Sequence, residues 1–200
     1  MNHVEKISSE SKSFDEFFRR CTDYFCRVLG KIDPRQVAVL VATIEETSAK
    51  GKSVFLCGNG GSAAMASHYT IDLLNVNRDR PGKKPIKALS LSDNLSVVTA
   101  LGNDHGYDQV FVKQLERYLT PGDVVIAISS SGNSPNVLNA VRFANREGAT
   151  SVGIVGFDGG ELKKLCKVCI HIETPKGEYG PVEDATMFLD HLITTYLAQK

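Results

Sequence analysis

The sequence lacks an excess of charge of either sign. Its 23 Lys and Arg residues balance 23 Asp and Glu residues in a chain of 200, so the formal net charge is zero. Proteins that bind nucleic acid usually carry a basic electrostatic footprint, so we expect no direct nucleic-acid partner. A net charge near zero also does nothing to oppose self-association.

Long apolar runs are missing as well. No stretch of the sequence approaches the roughly 18 apolar residues that a membrane-spanning helix requires. The first residues, Met1 to Lys6, are polar and lack the apolar segment of a secretory signal. We therefore expect a cytoplasmic protein with no membrane partner.

Cysteine is scarce, and its five residues form no disulfide-framework pattern, which is typical of a reducing cytoplasm. Cys166 and Cys169 form a lone CxxC motif. Such a motif is a redox pair, half of a zinc site, or two small core residues at the start of a strand. We favour the third interpretation, because the chain has no second CxxC and Cys169 begins an alternating run that ends at Ile172.

Hydrophobic periodicity divides the chain into two parts. We expect residues 1–12, which are polar, to be frayed. Helical spacing predicts a helix from Phe14 to Leu29, and Asp33-Pro34 starts a second amphipathic helix that ends before Gly51. Strands then alternate with helices: we predict strands at 53–57, 86–91, 123–128, 151–155 and 168–172, and helices at 62–75, about 94–103, 109–119, 135–147 and 182–198.

This alternation predicts the α/β fold class, a doubly wound parallel five-stranded sheet in three layers with two N-terminal helices. The hydrophobic content of 42% suits one domain with a sizeable core, and no linker or repeat divides the chain. We predict a single domain, residues 1–200, with the N-terminal helices in 1–50 and the parallel core in 51–200. The apolar surface of these two helices is explained by packing against another subunit or on the same domain.

Two small-residue loops each lie between a predicted strand and a predicted helix. The first is Cys57-Gly58-Asn59-Gly60-Gly61-Ser62, and the second is Ser129-Ser130-Ser131-Gly132-Asn133-Ser134. Glycines allow the backbone to approach a ligand closely, and the free N–H groups of a helix N-terminus point at an anion. The pair of loops indicates a site for a sugar phosphate or a nucleotide.

The nucleotide alternatives are less consistent with the sequence. Gly58, Gly60 and Ala63 match the dinucleotide fingerprint GxGxxA, but the first acidic residue after the next strand is Asp93, 30 residues beyond Ala63 instead of about 20. Neither loop is followed by the Gly-Lys-Ser/Thr of a P-loop. We therefore expect no nucleotide cofactor.

The serine loop offers four hydroxyl groups, from Ser129, Ser130, Ser131 and Ser134. Together with backbone N–H groups and the helix dipole, they could bind a phosphate dianion without Lys or Arg. The plain alternative is an ordinary turn in which Ser134 caps the helix that Pro135 begins. Capping explains one serine and not four, so we favour phosphate binding.

These motifs resemble those of the SIS (sugar isomerase) domain family, and more specifically its phosphoheptose isomerase branch. The resemblance runs from about residue 15 to the C-terminus and includes both loops, Gly102-Asn103-Asp104 and Gly156-Phe157-Asp158-Gly159-Gly160. It implies a flavodoxin-like SIS fold, a phosphorylated-sugar substrate and a homotetramer with sites at subunit interfaces. The substrate contacts that we predict are Asn59, Gly60, Ser62, Asp104, Ser129, Ser130, Ser131, Ser134 and Glu183.

A further group of residues matches the family's acid–base and metal positions. His68 and Asp72 are four residues apart, so they share one face of a predicted helix, while Glu183 and His191 belong to the last helix. The resemblance implies that these four hold one zinc or similar divalent ion per site, and that Asp72 and His191 transfer protons. Taken singly, each residue would favour an ordinary structural or solvated role. Because ligand-capable residues occupy all four positions, we favour a shared site.

Several positions depart from the family pattern. Asp72 stands where the family has Glu and is one methylene shorter, while Glu183 replaces a neutral Gln and adds a negative charge. Thr186 stands where many relatives have His. Val76 stands where relatives often have Arg, although Arg78 and Arg80 follow closely. The segment 176–181 also differs.

The resemblance implies an aldose–ketose isomerase that converts sedoheptulose 7-phosphate into D-glycero-D-manno-heptose 7-phosphate through an enediolate. The product would serve cell-envelope glycans such as lipopolysaccharide or capsule. The alternative is a non-catalytic tetrameric SIS protein that binds a protein partner, such as a replication initiator, or senses a sugar phosphate. Metal content and isomerase activity distinguish the two.

Overall fold

A computed structural model describes residues 1–77 and 82–200. Within these residues the chain forms one five-stranded sheet whose order is β2-β1-β3-β4-β5, with every neighbouring pair parallel. The strands are β1 Ser53–Cys57, β2 Lys87–Ser90, β3 Val124–Ser129, β4 Thr150–Val155 and β5 Val168–His171. The predicted fold class and all five predicted strands are confirmed.

Helices cover both faces of the sheet and produce three layers. They are α1 His3–Glu10, α2 Phe14–Leu29, α3 Pro34–Ala49, α4 Gly61–Asn75, α5 Leu95–His105, α6 Val112–Tyr118, α7 Pro135–Arg146, α8 Leu162–Leu165 and α9 Tyr179–Gln199, with a 3-10 turn at Tyr107–Gln109. Helices α1–α4 and α9 pack on one face, and α5–α8 pack on the other. No helix of the described part of the chain is long and apolar enough to cross a membrane.

The core is built from alternate residues of the strands. Leu56 and Ile126 point into the layer under α4 and α9, while Phe55 and Val125 point into the layer under α6 and α7. All six residues of β3 are buried, because this central strand is covered on both faces. Burial of each large apolar side chain contributes about 1.5–3 kcal/mol, which explains the near-continuous apolar sequence of the central strand.

The N-terminal segment differs from the prediction. Residues 1–12 are not frayed, because His3–Glu10 form α1, so that three helices and not two precede β1. A capping box begins this helix: the Asn2 side chain accepts from the Glu5 backbone N–H, and the Glu5 carboxylate accepts from the Asn2 N–H. Ile7 is buried in the core and ties the helix to the domain.

The strand order also places the two loops together. Because β1 and β3 are neighbours and the chain winds outward from them in opposite directions, the loops after these strands flank the topological switch point of the sheet. In open parallel sheets the crevice at the carboxyl ends of such strands is where ligands bind.

Candidate active site at the switch point

A pocket of about 300 Å³ opens at the carboxyl ends of β1 and β3. Most of its lining comes from the two loops, and the N-terminal turn of α9 closes one side. No Lys or Arg of the described chain lines it. The predicted contacts that lie in its wall are Asn59, Gly60, Ser62, Ser129, Ser130, Ser131, Ser134 and Glu183.

The first loop leads into α4 without a side-chain cap. Gly60, at the N-cap position, has a φ of 53°, which favours glycine. The carboxylate of Glu183 lies against Gly61, where a Cβ atom would overlap it. Glu183 therefore places a negative charge at the α4 N-terminus, where free N–H groups and the helix dipole favour an anion. This leaves the serine loop as the more open place for an incoming phosphate.

The serine loop is held by hydrogen bonds to its own backbone. The Gly132 N–H donates to Ser129 Oγ at 3.2 Å, and the Asn133 N–H donates to Ser131 Oγ at 3.3 Å. Ser134 is the N-cap of α7 but makes no capping hydrogen bond within the described structure. The alternative interpretation, in which Ser134 serves only to cap α7, is therefore weakened, because the capping hydrogen bond is missing.

An amide pair fixes the side chain of Asn59. Its Nδ2 donates to Asn136 Oδ1 at 2.9 Å, and Asn136 Nδ2 donates back to Asn59 Oδ1 at 2.8 Å. The Tyr107 hydroxyl donates to the same Asn59 oxygen at 2.9 Å. Asn136 is 2% exposed, so it orients Asn59 from beneath the pocket.

Sequence reasoning missed Asn136, Tyr107 and Tyr179. Tyr179 lines the pocket. It lies four residues before Glu183 on α9, so the helical spacing could have predicted that both face the same pocket. Asp104, by contrast, is not part of this pocket. It is exposed near the end of α5, and its Oδ1 accepts from Asn103 Nδ2 at 2.9 Å. Its contact with substrate stays a prediction.

A second group of polar residues lies further along α4 and α9. His68 Nε2 and His191 Nε2 are 3.0 Å apart, and Asp72 Oδ2 lies 3.6 Å from the first nitrogen and 3.8 Å from the second. Along the axis of α4, His68 is about 10 Å and Asp72 about 16 Å from Gly61, given the helical rise of 1.5 Å per residue. Three of the four predicted metal ligands are therefore adjacent within one chain.

Asp190 joins this cluster in place of Glu183. Single ligand atoms of His68, Asp72, Asp190 and His191 all lie within 4.8 Å of one another. Asp190 is 2% exposed, and neither carboxylate oxygen has a hydrogen-bond partner among the described residues. Burial, and then the nearby Asp72 carboxylate, raises the pKa of Asp190 to about 7. Asp190 directly precedes His191 in the sequence, and this adjacency could have identified it as a candidate ligand.

The cluster fits a divalent cation. Imidazole nitrogens and carboxylate oxygens are suitable zinc ligands, and atoms bound to one tetrahedral zinc lie about 3.4 Å apart. The distances of 3.0, 3.6 and 3.8 Å bracket that value. A buried carboxylate without a donor needs a positive charge nearby, which a metal ion would supply.

The CxxC motif, Cys166 and Cys169, is part of the core. Cys166 follows α8 and Cys169 lies in β5, and both are partly buried. Burial raises the pKa of Cys166 to about 12 and also raises the pKa of Cys169. Both are therefore thiols at neutral pH, in agreement with a structural role. Arg78 and Arg80, noted for their proximity to Val76, lie outside the described residues.

The sheet order and the switch-point pocket define a doubly wound α/β protein. The chain belongs to the SIS domain family, whose model matches residues 16–156. It is 38% identical over 164 residues to a phosphoheptose isomerase of Trichlorobacter lovleyi, covering 82% of this chain and 81% of the relative. It is 34% identical over 177 residues to a phosphoheptose isomerase of Rhodospirillum rubrum, covering 88% and 91%.

Solved structures agree with these relatives. A phosphoheptose isomerase from Neisseria gonorrhoeae superposes with a TM-score of 0.83 at 26% identity, covering 94% of this chain and 100% of that one. One from Francisella tularensis gives a TM-score of 0.82 at 25% identity and covers 100% of both chains. The resemblance to the SIS family and to its phosphoheptose isomerase branch is confirmed.

Proposed function

We propose that this chain is an aldose–ketose isomerase that converts sedoheptulose 7-phosphate into D-glycero-D-manno-heptose 7-phosphate. Its likeness to phosphoheptose isomerases over most of their length supports this activity. The observation that carries the proposal is that α4 and α9 each contribute to both the hydroxyl-lined pocket and the His/Asp cluster. A phosphosugar isomerase needs those two parts, one to hold the phosphate and one to move a proton.

The serine loop holds the phosphate in this proposal. The serine hydroxyl groups can donate to the phosphate oxygens, and the α7 dipole adds a favourable potential. The Ser134 hydroxyl is not used in capping, so it is available to donate. Asn59, Gly60 and Ser62 contact the sugar, and Asn136 keeps the Asn59 amide in place.

Proton transfer is assigned to His191 and Asp72. Isomerisation of the ketose removes a proton from C1, forms an enediolate, and returns a proton to C2, while the hydroxyl proton moves from O1 to O2. The His191 side chain is 55% exposed and that of Asp72 is 27% exposed, so His191 is the better placed to meet the sugar. Asp72 then orients His191 and balances its charge.

The metal ligands in this proposal are His68, Asp72, Asp190 and His191, which would hold one zinc or similar ion per site through one atom each. Proton transfer would then use the second ring nitrogen of His191 and the second carboxylate oxygen of Asp72. When bound, the ion would place a positive charge near the reacting carbons and stabilise the negative charge that develops there. Glu183 was predicted as a ligand, but its carboxylate lies against Gly61 in the pocket, so we assign it to the substrate.

We also propose that the chain is a single domain that assembles as a homotetramer with sites at the interfaces. Large apolar side chains on α4 and α9 are exposed on the helices that carry the His/Asp cluster: Ile71, Leu74, Phe188, Leu192 and Tyr196. An exposed apolar patch of this kind is typical of an interface. A second copy there would cover the cluster and exclude water from it.

The direct experiment is turnover of sedoheptulose 7-phosphate, with and without a chelator. The wild type should be active and His191→Ala inactive, and the chelator should remove activity that zinc restores. Thr195→Ala, an exposed position one turn later on α9, is the matched control and should keep full activity. Equal activity in the two variants would refute the assignment of His191.

A non-catalytic SIS protein is the second candidate, and Asp72 is the observation that favours it. Its carboxylate is one methylene, about 1.5 Å, shorter than the Glu of the family, which shortens its reach to a proton. This candidate predicts a protein purified without stoichiometric metal and without activity toward any phosphorylated ketose.

A further inference from the structure

A second and larger cavity lies at the same edge of the sheet. It measures about 760 Å³, within the range of small-molecule sites, and is bounded by the C-terminal end of α2, α8 and the segments after β4 and β5. Like the switch-point pocket, it opens at the carboxyl ends of parallel strands, where ligands bind in such sheets. It shares no lining residue with the switch-point pocket.

The rim of this cavity is basic although the whole chain is neutral. Four cationic side chains line it, those of Arg27, Lys31, Lys163 and Lys176, against two exposed carboxylates. Three of these cations, Arg27, Lys31 and Lys176, form no ion pair with any residue that the structure describes. Like charges gathered around a concave surface raise the local potential and attract an anion.

Lys163 is held in place without being neutralised. Its ammonium group donates to His171 Nδ1 at 3.1 Å, so the other ring nitrogen, Nε2, carries the proton and donates to the Phe157 carbonyl at 2.9 Å. The partner of the Lys163 ammonium is therefore an imidazole nitrogen and not a carboxylate. Lys163 lines the cavity and forms no ion pair with any residue that the structure describes.

Polar groups beneath the rim also suit an anion. Thr174 is 6% exposed, lines the cavity, and its hydroxyl has no hydrogen-bond partner among the described residues. The nearby buried acid, Glu178, accepts from the Tyr24 hydroxyl and from the His3 N–H, so its carboxylate is already satisfied. A buried hydroxyl without a partner and several cations are the donors that a phosphate group uses.

An aromatic pair separates this cavity from the switch-point pocket. Phe157 lines the cavity, Tyr179 lines the pocket, and their rings meet edge to face with centroids 5.1 Å apart. Phe157 adopts a φ of 49°, an unusual conformation for a bulky residue, and its carbonyl is bound by His171. Phe157 therefore forms the wall between the two sites. Through its carbonyl it also holds His171, which in turn holds Lys163.

We propose that this cavity is a second binding site, which takes a phosphorylated small molecule distinct from the reacting sugar. The phosphate lies among Arg27, Lys163 and Lys176 and accepts from the Thr174 hydroxyl. The proposal does not depend on the isomerase activity, because it rests on a separate set of residues.

The test measures binding of inorganic phosphate by isothermal titration calorimetry at low ionic strength. Ser134→Ala provides the background in which the serine loop is weakened. In that background Lys163→Gln and Arg27→Gln should each weaken phosphate binding at least tenfold, because each removes a charged donor. Lys164→Gln is the matched control, since Lys164 is the next residue of the same helix, is exposed, and does not line the cavity.

Thr174→Val, which keeps the side-chain shape, should also weaken binding, and thermal unfolding checks that each variant is folded. Equal phosphate affinity in the Lys163, Arg27 and Lys164 variants would overturn the proposal. Failure of phosphate to bind the Ser134→Ala protein would also overturn it, whatever the oligomeric mass. Suppose that phosphate does not bind and that the Lys163 and Arg27 variants also change the oligomeric mass. That result would mean that an acidic segment of a second copy occupies the cavity.

Discussion

Asp190→Asn removes a negative charge from a buried position while it keeps the size and shape of the side chain. The carboxylate is 2% exposed and has no partner among the described residues. An unpaired buried charge of this kind costs about 3 kcal/mol of stability. After chelation, Asp190→Asn should therefore be more stable than the wild type by about 3 kcal/mol, or roughly 6–12 °C in Tm for a chain of this size.

Zinc should stabilise the wild type more than it stabilises Asp190→Asn. At a free zinc concentration 100 times the wild-type Kd, binding adds about 2.7 kcal/mol to the wild-type stability. If loss of one ligand weakens binding tenfold, the same zinc concentration adds only about 1.4 kcal/mol to Asp190→Asn. The advantage of the variant should thus shrink by about 1.3 kcal/mol when zinc is present.

The assay is thermal or denaturant unfolding at pH 8.5, with chelator and with zinc. This pH lies above the pKa of Asp190, which is raised to about 7, so the carboxyl group is ionised in the wild type. Asp184 is an exposed aspartate on the same helix, so Asp184→Asn is the control. It should change neither the stability of the chelated protein nor the stability gained from zinc. A chelated Asp190→Asn protein that is no more stable than the wild type, with an equal gain from zinc, would refute the reasoning.

Three further predictions test other parts of the site. Ser134→Ala should raise KM for the phosphosugar about tenfold, as expected for one lost hydrogen bond to a charged group, and should leave unphosphorylated ketoses unaffected; steady-state kinetics measures both. Gly61→Ala should lose about 1–3 kcal/mol of stability in denaturant unfolding, because its Cβ meets the Glu183 carboxylate. Adding Glu183→Ala should restore most of that stability, and failure to do so would contradict the contact. Leu192→Asp places a charge on the exposed apolar face of α9 and should yield a smaller oligomer in light scattering.

Much of the fold could be predicted from the sequence because its elements have strong local patterns. The central strand β3 is a continuous apolar run, and Pro34 and Pro135 mark the first turns of α3 and α7. Helix α1 could not be predicted in the same way. It has one buried apolar residue, Ile7, and its stability depends on packing against α2 and on a local capping box.

The site was predictable where it depends on loops and less so where it depends on packing between helices. The two loops follow adjacent strands, so the residues of the pocket came together as expected. The register of α4 against α9 decides whether Glu183 or Asp190 meets His68, and periodicity within each helix does not determine that register. The chain places Glu183 beside Gly61 and Asp190 beside the histidines.

The proposed reaction moves a proton between C1 and C2 of a phosphorylated ketose. The most direct test follows sedoheptulose 7-phosphate in deuterated water by nuclear magnetic resonance, with the zinc-loaded wild type and with His191→Ala. The wild type should form the aldose, with deuterium at C2 or direct transfer of the proton between the carbons, and His191→Ala should do neither. Absence of both product and exchange with the zinc-loaded wild type would contradict the account.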